Sequence, residues 1–377
     1  MNKITKQTFK KLLNDILIDD IVPSINPENI NEFKIGKNYF YELKDEDQLL
    51  AIHRVINYVF QKNIPINNAA IAFRKEKSYL DLFEPHRKNY YFLRLDIKAF
   101  FHSIEVDDIK KIFSTYFEED YIDDDKKQTL IDAFINLVTY KIPDNSSNED
   151  FKGKQVLPMG FITSPVISNI VFRKIDIQIQ KFCSQHNITY TRYADDMLFS
   201  SDEIVSSDEN NSSVKRNRYI HSDGFINEIS ILVGQMNFKL NQRKKLKATH
   251  TLSLNGYTIQ YSIISKNFFD IKNEKIINEF RLSNKKINII KKMIYLIETK
   301  KQTAQYILKK LFNYKLPDKV PYDKKNEFYK HQLNNKLTGY RSYLLSFVVF
   351  NQTYECMQKS TIDKYIELIE KLNGFIV

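Results

Sequence analysis

Residues 193–196 read Tyr-Ala-Asp-Asp, and the two adjacent acids fall at a tight turn between apolar stretches. Like charges side by side repel, and aspartate is a poor strand former, so the pair needs a reason to be there. A divalent cation supplies one. Hard ions such as Mg²⁺ take oxygen ligands, few of them from protein, and complete their shell with water and substrate phosphates. A third acid, Asp96, ends the apolar run of residues 90–97 (YYFLRLDI), where an unpaired carboxylate is costly. If the two stretches lie side by side, their carboxylates can hold two cations about 3.5–4 Å apart, which stabilises the attacking and leaving oxygens of an in-line phosphoryl transfer. Each acid also has a plainer reading: a turn that favours Asp, and for Asp96 a strand-end cap or an ion pair with Arg94 or Lys98.

The elements that must position these acids follow from periodicity. Residues 90–97 are aromatic and β-branched and predict a strand, as do residues 188–193 and 197–200 on either side of the Ala194-Asp195-Asp196 turn. An apolar stretch over 166–179, entered just after Pro165, predicts a supporting helix. Residues 1–80 read as mostly helical, with Leu49, Leu50, Ile52, Val55, Ile56, Val59 and Phe60 at helical spacing, and 107–140 as helical with a solvated Asp123-Asp124-Asp125 run. Residues 143–155 are a polar loop and 206–222 an exposed Asn/Ser-rich insertion. A helix near 224–235, a basic segment at 241–247 and a short strand at 252–259 come next, and residues 273–314 read as helical. A boundary near residue 265 separates an α/β body from an all-helical basic tail.

Composition limits the classes. The 377 residues are 42% hydrophobic with 8 Gly and 9 Pro, which excludes wholesale disorder and collagen-like repeats. Cys183 and Cys356 stand in no metal-binding spacing, and two cysteines cannot staple a chain of this length, so a reducing, cytoplasmic setting is expected. No run approaches the roughly 18 apolar residues of a membrane span, and residues 1–13 carry no secretory signal pattern. The net charge is +11, and from residue 231 onward 27 Lys and Arg face 11 Asp and Glu. A basic tail of that kind suits a polyanion, or is a solvated lysine-rich surface.

The ordered segments resemble reverse transcriptases of the bacterial, retron-like and defence-associated group. Residues 68–78 (NAAIAFRKEKS) look like the fingers block, 95–104 (LDIKAFFHSI) like motif A, 157–169 (LPMGFITSPVISN) like motif B and 192–200 (RYADDMLFS) like motif C. Residues 240–245 (LNQRKK) resemble motif D and 254–257 (LNGY) the primer-grip turn, so the likeness runs from about 65 to 260. It implies an α+β right-hand polymerase, with fingers and an antiparallel palm sheet packed on helices in residues 1–265 and an all-helical thumb in 266–377.

Carried over residue by residue, the resemblance makes Asp96, Asp195 and Asp196 the catalytic acids. Two Mg²⁺ ions, replaceable by Mn²⁺, would be held by these acids and the Ile97 carbonyl. Arg74, Lys77, Phe101, Met159, Gly160 and Lys244 would bind the nucleotide, with Phe101 as the steric gate against a ribose 2′-OH, Phe100 in the core, and Lys244 steering or protonating the leaving pyrophosphate. Tyr193, Ser164, Pro165, Asn255 and Gly256 would face primer and template. The implied partners are dNTPs, a dedicated noncoding RNA template and its DNA product, with a second reverse transcriptase or other defence protein and self-association left open. The implied role is antiphage defence. The chain departs from the family pattern where Met159 replaces a glutamine, Ile71-Ala72-Phe73 replaces His-Gly-Phe, and Leu254-Asn255-Gly256 replaces Val-Thr-Gly. Untemplated or protein-primed DNA synthesis, RNA-dependent RNA synthesis and an inactive RNA-binding scaffold are the competing readings.

Overall fold

The computed structural model describes residues 3–13, 16–60, 64–205, 214–216, 218–264, 275–317 and 320–376. In chain order the elements are α1 (Lys6–Leu13), β1 (Ile30–Ile35), β2 (Asn38–Leu43), α2 (Glu46–Phe60), β3 (Tyr91–Asp96), α3 (Val106–Phe113), α4 (Leu130–Val138), β4 (Tyr140–Lys141), β5 (Gln155–Val156) and α5 (Ser164–Gln185). They continue as β6 (Thr189–Tyr193), β7 (Asp196–Ser201), β8 (Glu203–Val205), β9 (Val214–Arg216), α6 (Asp223–Gly234), β10 (Leu246–Thr249), β11 (Thr251–Leu254), β12 (Tyr257–Ile264), β13 (Lys275–Leu282), α7 (Asn284–Glu298), α8 (Ala304–Phe312), α9 (Lys325–Tyr354) and α10 (Lys359–Asn373). The fold class is α+β, and its antiparallel pairings and C-terminal helices fit the right-hand polymerase fold. Two compact units are present: Met1–Leu82 with Leu93–Ser201 and Asn217–Lys247, and Phe83–Phe92 with Asp202–Arg216 and Ala248–Val377. The boundary expected near residue 265 lies outside the described residues, as do 206–213 and 217 of the expected insertion.

The first unit carries a sheet in the order β10-β3-β7-β6. β3 is buried except at Arg94, because aromatic and branched residues alternate onto both faces of a central strand. β6 and β7 form an antiparallel hairpin in which Tyr193 faces Asp196, so the acid pair sits at the hairpin tip. α5 packs on β6 through a buried stripe that includes Ile167, Val171, Ile175 and Ile179, and Pro165 lies in its first turn, where a missing N–H costs nothing. Phe100, Phe172 and Phe238 pack together beneath the sheet end, with ring centroids 5.1–5.8 Å apart.

Residues 1–80 are less helical than expected, because residues 30–43 form an antiparallel hairpin, β1–β2, with Ile35 opposite Asn38. Its signal is in the sequence: alternating residues flank Gly36-Lys37, and Gly36 adopts φ +62°, which a two-residue hairpin turn requires.

The second unit has the sheet β11-β12-β13 and helices α7–α10. Residues 275–282 are therefore a strand, correcting the helical reading of 273–314 and the all-helical tail. Ile276 and Phe280 are four apart, a spacing common to helix and strand. The decisive contact is Phe280 opposite Ile259 and Leu282 opposite Tyr257, with Phe280 and Leu282 both fully buried. Phe83, Tyr257, Phe280 and Phe347 stack around this sheet at 5.3–5.6 Å. Cys183 and Cys356 are both free and buried. No described helix is long and apolar enough to cross a membrane.

Candidate active site

Asp96 ends β3 with its side chain 1% exposed. Its main chain is locked where the hairpin tip arrives: Ile97 N–H donates to the Asp195 carbonyl at 3.0 Å, and Asn241 N–H donates to the Asp96 carbonyl at 2.7 Å. The buried carboxylate is fully engaged. Asn241 Nδ2 donates to Oδ1 at 3.0 Å, Lys244 Nζ to Oδ2 at 2.7 Å, and Arg94 reaches Oδ2 at 3.5 Å.

The counter-ions prove that the three acids gather. Lys244 also lies 3.9 Å from Asp195 Oδ2, so one ammonium serves Asp96 and Asp195. Arg94 donates Nε to Asp196 Oδ1 at 2.7 Å and makes a second, shorter bond through Nη2, so one guanidinium serves Asp96 and Asp196. Three negative charges thus meet two positive ones. Partial burial, then repulsion from Asp196 and Asp96, pushes the Asp195 pKa up to about 6. Burial also raises Asp196, with Arg94 opposing the shift. The plainer reading of Asp96 as an ion-pair partner of Arg94 is therefore realised, but within a cluster rather than in isolation.

Among the described residues, no group of three or more His, Cys, Asp or Glu side chains is closed around a common point that could hold a metal ion. The carboxylates are drawn onto Arg94 and Lys244 instead. The donor chemistry still fits a hard divalent ion: the acids are adjacent, mutually repelling and left one positive charge short by their own protein.

The hairpin tip is held by a residue the sequence reading passed over. Arg192 is fully buried, donating Nε and Nη2 to Asp176 at 2.9 and 2.7 Å, Nη2 to Asn169 Oδ1 at 3.1 Å, and Nη1 to the Ala194 carbonyl at 2.9 Å. Tyr190 O–H donates to the same Asp176 carboxylate at 2.7 Å. A buried bidentate pair on α5 and β6 thereby grips the peptide just before Asp195, where Ala194 is left-handed at φ +54°. A charged residue within an apolar motif was the available signal.

Other expected residues fall into place unevenly. Phe100 is core, at 2% exposure, and Phe101 is half-buried. The Phe101 ring lies 6.3 Å from Phe73, which lies 6.2 Å from Tyr193, so an aromatic wall runs beside the acids. Phe73, 41% exposed with φ +59°, was not expected in it. Arg74 donates to the Asn67 and Ala70 carbonyls at 3.4 and 3.2 Å, and Lys77 pairs with Asp81 at 3.2 Å, so both are occupied locally. Ser164 is buried and donates to the Pro158 carbonyl at 2.6 Å, so its side chain braces the turn that enters α5. Pro165 stands beside it in the first turn of α5.

Met159 and Gly160 are held by their backbone. Tyr41 N–H donates to the Met159 carbonyl at 2.8 Å, and Met159 N–H donates to His102 Nε2 at 3.4 Å. Gly160 adopts φ +113°, and a Cβ there would sit 2.5 Å from the Tyr41 carbonyl oxygen, so only glycine fits. In the second unit, Asn255 and Gly256 form the β11–β12 turn; Gly256 has φ +92°, and a Cβ there would meet Lys286 Cε at 2.9 Å.

Residues 48–259 match the reverse transcriptase (RNA-dependent DNA polymerase) family. The retron Ec83 reverse transcriptase of Escherichia coli is 33% identical over 153 residues, 41% of this chain and 46% of that protein. The retron Ec73 reverse transcriptase of the same organism is 33% identical over 179 residues, 46% of this chain and 52% of that protein. The chain thus spans about half the length of these curated relatives. A solved telomerase from Candida albicans aligns with a TM-score of 0.42 at 9% identity, covering 99% of this chain and 66% of that one. With the family match spanning more than half of its length, the chain belongs to the reverse transcriptases and is retron-like among them.

Proposed function

We propose that the chain is an RNA-directed DNA polymerase that extends a primer with dNTPs on a noncoding RNA template, with Mg²⁺ as its divalent ion. The observation that carries this reading is the sharing of Lys244 between Asp96 and Asp195 and of Arg94 between Asp96 and Asp196. That sharing draws acids from two separate stretches of chain to one sheet end. Asp96, Asp195 and the Ile97 carbonyl would hold the ions, with Asp196 kept beside them by Arg94. Bound there, the ions would neutralise the primer 3′-oxygen and the triphosphate.

The chain's own groups do the rest. Phe101 closes the space beside a 2′-OH, so deoxynucleotides are selected. Lys244, which pairs with Asp96, would neutralise or protonate departing pyrophosphate. Arg74 and Lys77 would exchange their local contacts for the triphosphate. Residues 1–265 act as fingers and palm, and residues 266–377, with the basic charge of the tail, act as a thumb on the RNA. Asn255 and Gly256 position the primer end. The relatives are retron reverse transcriptases, and a dedicated RNA, antiphage defence and a cytoplasmic setting are proposed for this chain from the resemblance of its motifs.

Incubation with each dNTP singly, with and without co-purified RNA, tests the reading. RNA-dependent incorporation with base choice is expected. Extension that proceeds equally after RNase treatment would replace templated synthesis with the untemplated alternative.

A further inference from the structure

We propose that His102 and the β1–β2 hairpin form a clamp on the Met159–Gly160 peptide, and that Tyr41 and His102 are positioning residues for the incoming nucleotide. This rests on the polymerase reading above. Met159 stands where the family pattern has a glutamine, and a thioether donates no hydrogen bond. Selection at this wall of the pocket must then come from where the backbone lies.

That backbone is held at three successive residues. The Pro158 carbonyl takes Ser164 Oγ at 2.6 Å, Met159 N–H reaches His102 Nε2 at 3.4 Å, and the Met159 carbonyl takes Tyr41 N–H at 2.8 Å. The Met159–His102 bond, at 3.4 Å, is the longest of the three. To accept at Nε2, His102 must be neutral and carry its proton on Nδ1. Its ring is wedged between Tyr41, at 5.7 Å, and Phe151, at 5.1 Å. Gly160 lets the Tyr41 main chain approach to a distance that any Cβ would forbid.

The hairpin is in turn fastened to the loop before motif B. Glu32 accepts from Ser146 Oγ and Ser147 Oγ, both at 2.6 Å, Tyr39 O–H donates to the Ser147 carbonyl at 2.7 Å, and Asn148 Nδ2 donates to Tyr41 O–H at 2.8 Å. Hairpin, loop and the Met159 turn therefore move together. His102 also directly follows Phe101, so the sugar gate and the clamp share one short turn. A shift of the hairpin should change how tightly a nucleotide is held more than how fast it reacts.

The test compares His102→Phe, which keeps a ring but removes the acceptor, with His102→Gln, which restores one, and with Glu32→Ala, which loosens the hairpin far from the acids. On an oligo(dT)-primed poly(rA) template, His102→Phe and Glu32→Ala should raise the KM for dTTP by roughly tenfold with kcat within about twofold, and His102→Gln should recover most of it. Hydrogen exchange at the Met159 amide, read in the nucleotide-free protein, should speed up in His102→Phe and return toward wild type in His102→Gln. Folded His102→Phe with unchanged KM and unchanged Met159 exchange overturns the clamp. A wild type that incorporates nothing on any template overturns the polymerase reading instead, and Met159 exchange then still decides the clamp.

Discussion

Asp176→Asn is the sharpest probe of how the acid turn is held. The substitution keeps shape but removes the charge opposite Arg192, leaving a guanidinium with zero exposure and no counter-ion. It also turns an all-acceptor group, which takes two Arg192 bonds and one from Tyr190, into one that presents donors to donors. Breaking a buried pair from one side costs about 3–5 kcal/mol, a large part of the roughly 5–15 kcal/mol that holds a typical domain. Removing both charges in Asp176→Leu/Arg192→Met should cost less, about 1–3 kcal/mol, set mainly by the Ala194 carbonyl and Asn169 losing their donor and the Tyr190 hydroxyl its acceptor. Urea unfolding followed by far-UV circular dichroism and tyrosine fluorescence reads this, since the chain has 23 Tyr and no Trp. The double variant should fold yet incorporate nucleotide poorly, because nothing then grips the peptide before Asp195. A loss under about 1 kcal/mol for Asp176→Asn would refute the argument.

Three further outcomes are expected. Phe101→Ala should let rNTPs compete with dNTPs, measured as the ratio of kcat/KM; a wild type that already uses rNTPs well removes the gate. Arg94→Met should strand Asp196 and Asp96 without their shared cation, cutting incorporation at least about tenfold while raising the divalent ion's benefit to thermal stability; unchanged incorporation would mean the pair is incidental. His86 is buried and His102 half-buried, both uncharged, with desolvation lowering their pKa values to about 3 and about 4. The unfolded chain takes up their protons first, so stability is full above about pH 6.5 and falls as pH drops toward 4, by about 1.4 kcal/mol per unit for each histidine. His86→Phe should flatten that slope in pH-dependent unfolding, and an unaltered slope would contradict it.

The acid-bearing strands were legible because their residues obey one period and carry acids where apolar residues belong. β3 and the β6–β7 hairpin appear within a residue or two of where the pattern puts them. The β1–β2 hairpin was hidden by the strong helical spacing of α2 just after it, although Gly36 marked its turn. β13 was hidden because a spacing of four satisfies both periods, and only pairing with β12 decides between them. The site's acids and the Arg94–Asp96 pair could be named from sequence, but the sharing of Arg94 with Asp196 and of Lys244 between Asp96 and Asp195 could not. Arg94, Asn241 and Arg192 act through distances of 16 to 145 residues along the chain, which no local pattern encodes. The His102–Met159 bond is of the same kind, made across 57 residues.

The most direct test is Asp195→Asn beside wild type in single-nucleotide primer extension, with Mg²⁺ titrated from none to excess. Wild type should extend only with the divalent ion present, and Asp195→Asn, folded and still bound to RNA, should show at least about a thousandfold less extension at every concentration. Extension by Asp195→Asn at near wild-type rate would contradict the gathering of these three acids as the catalytic centre.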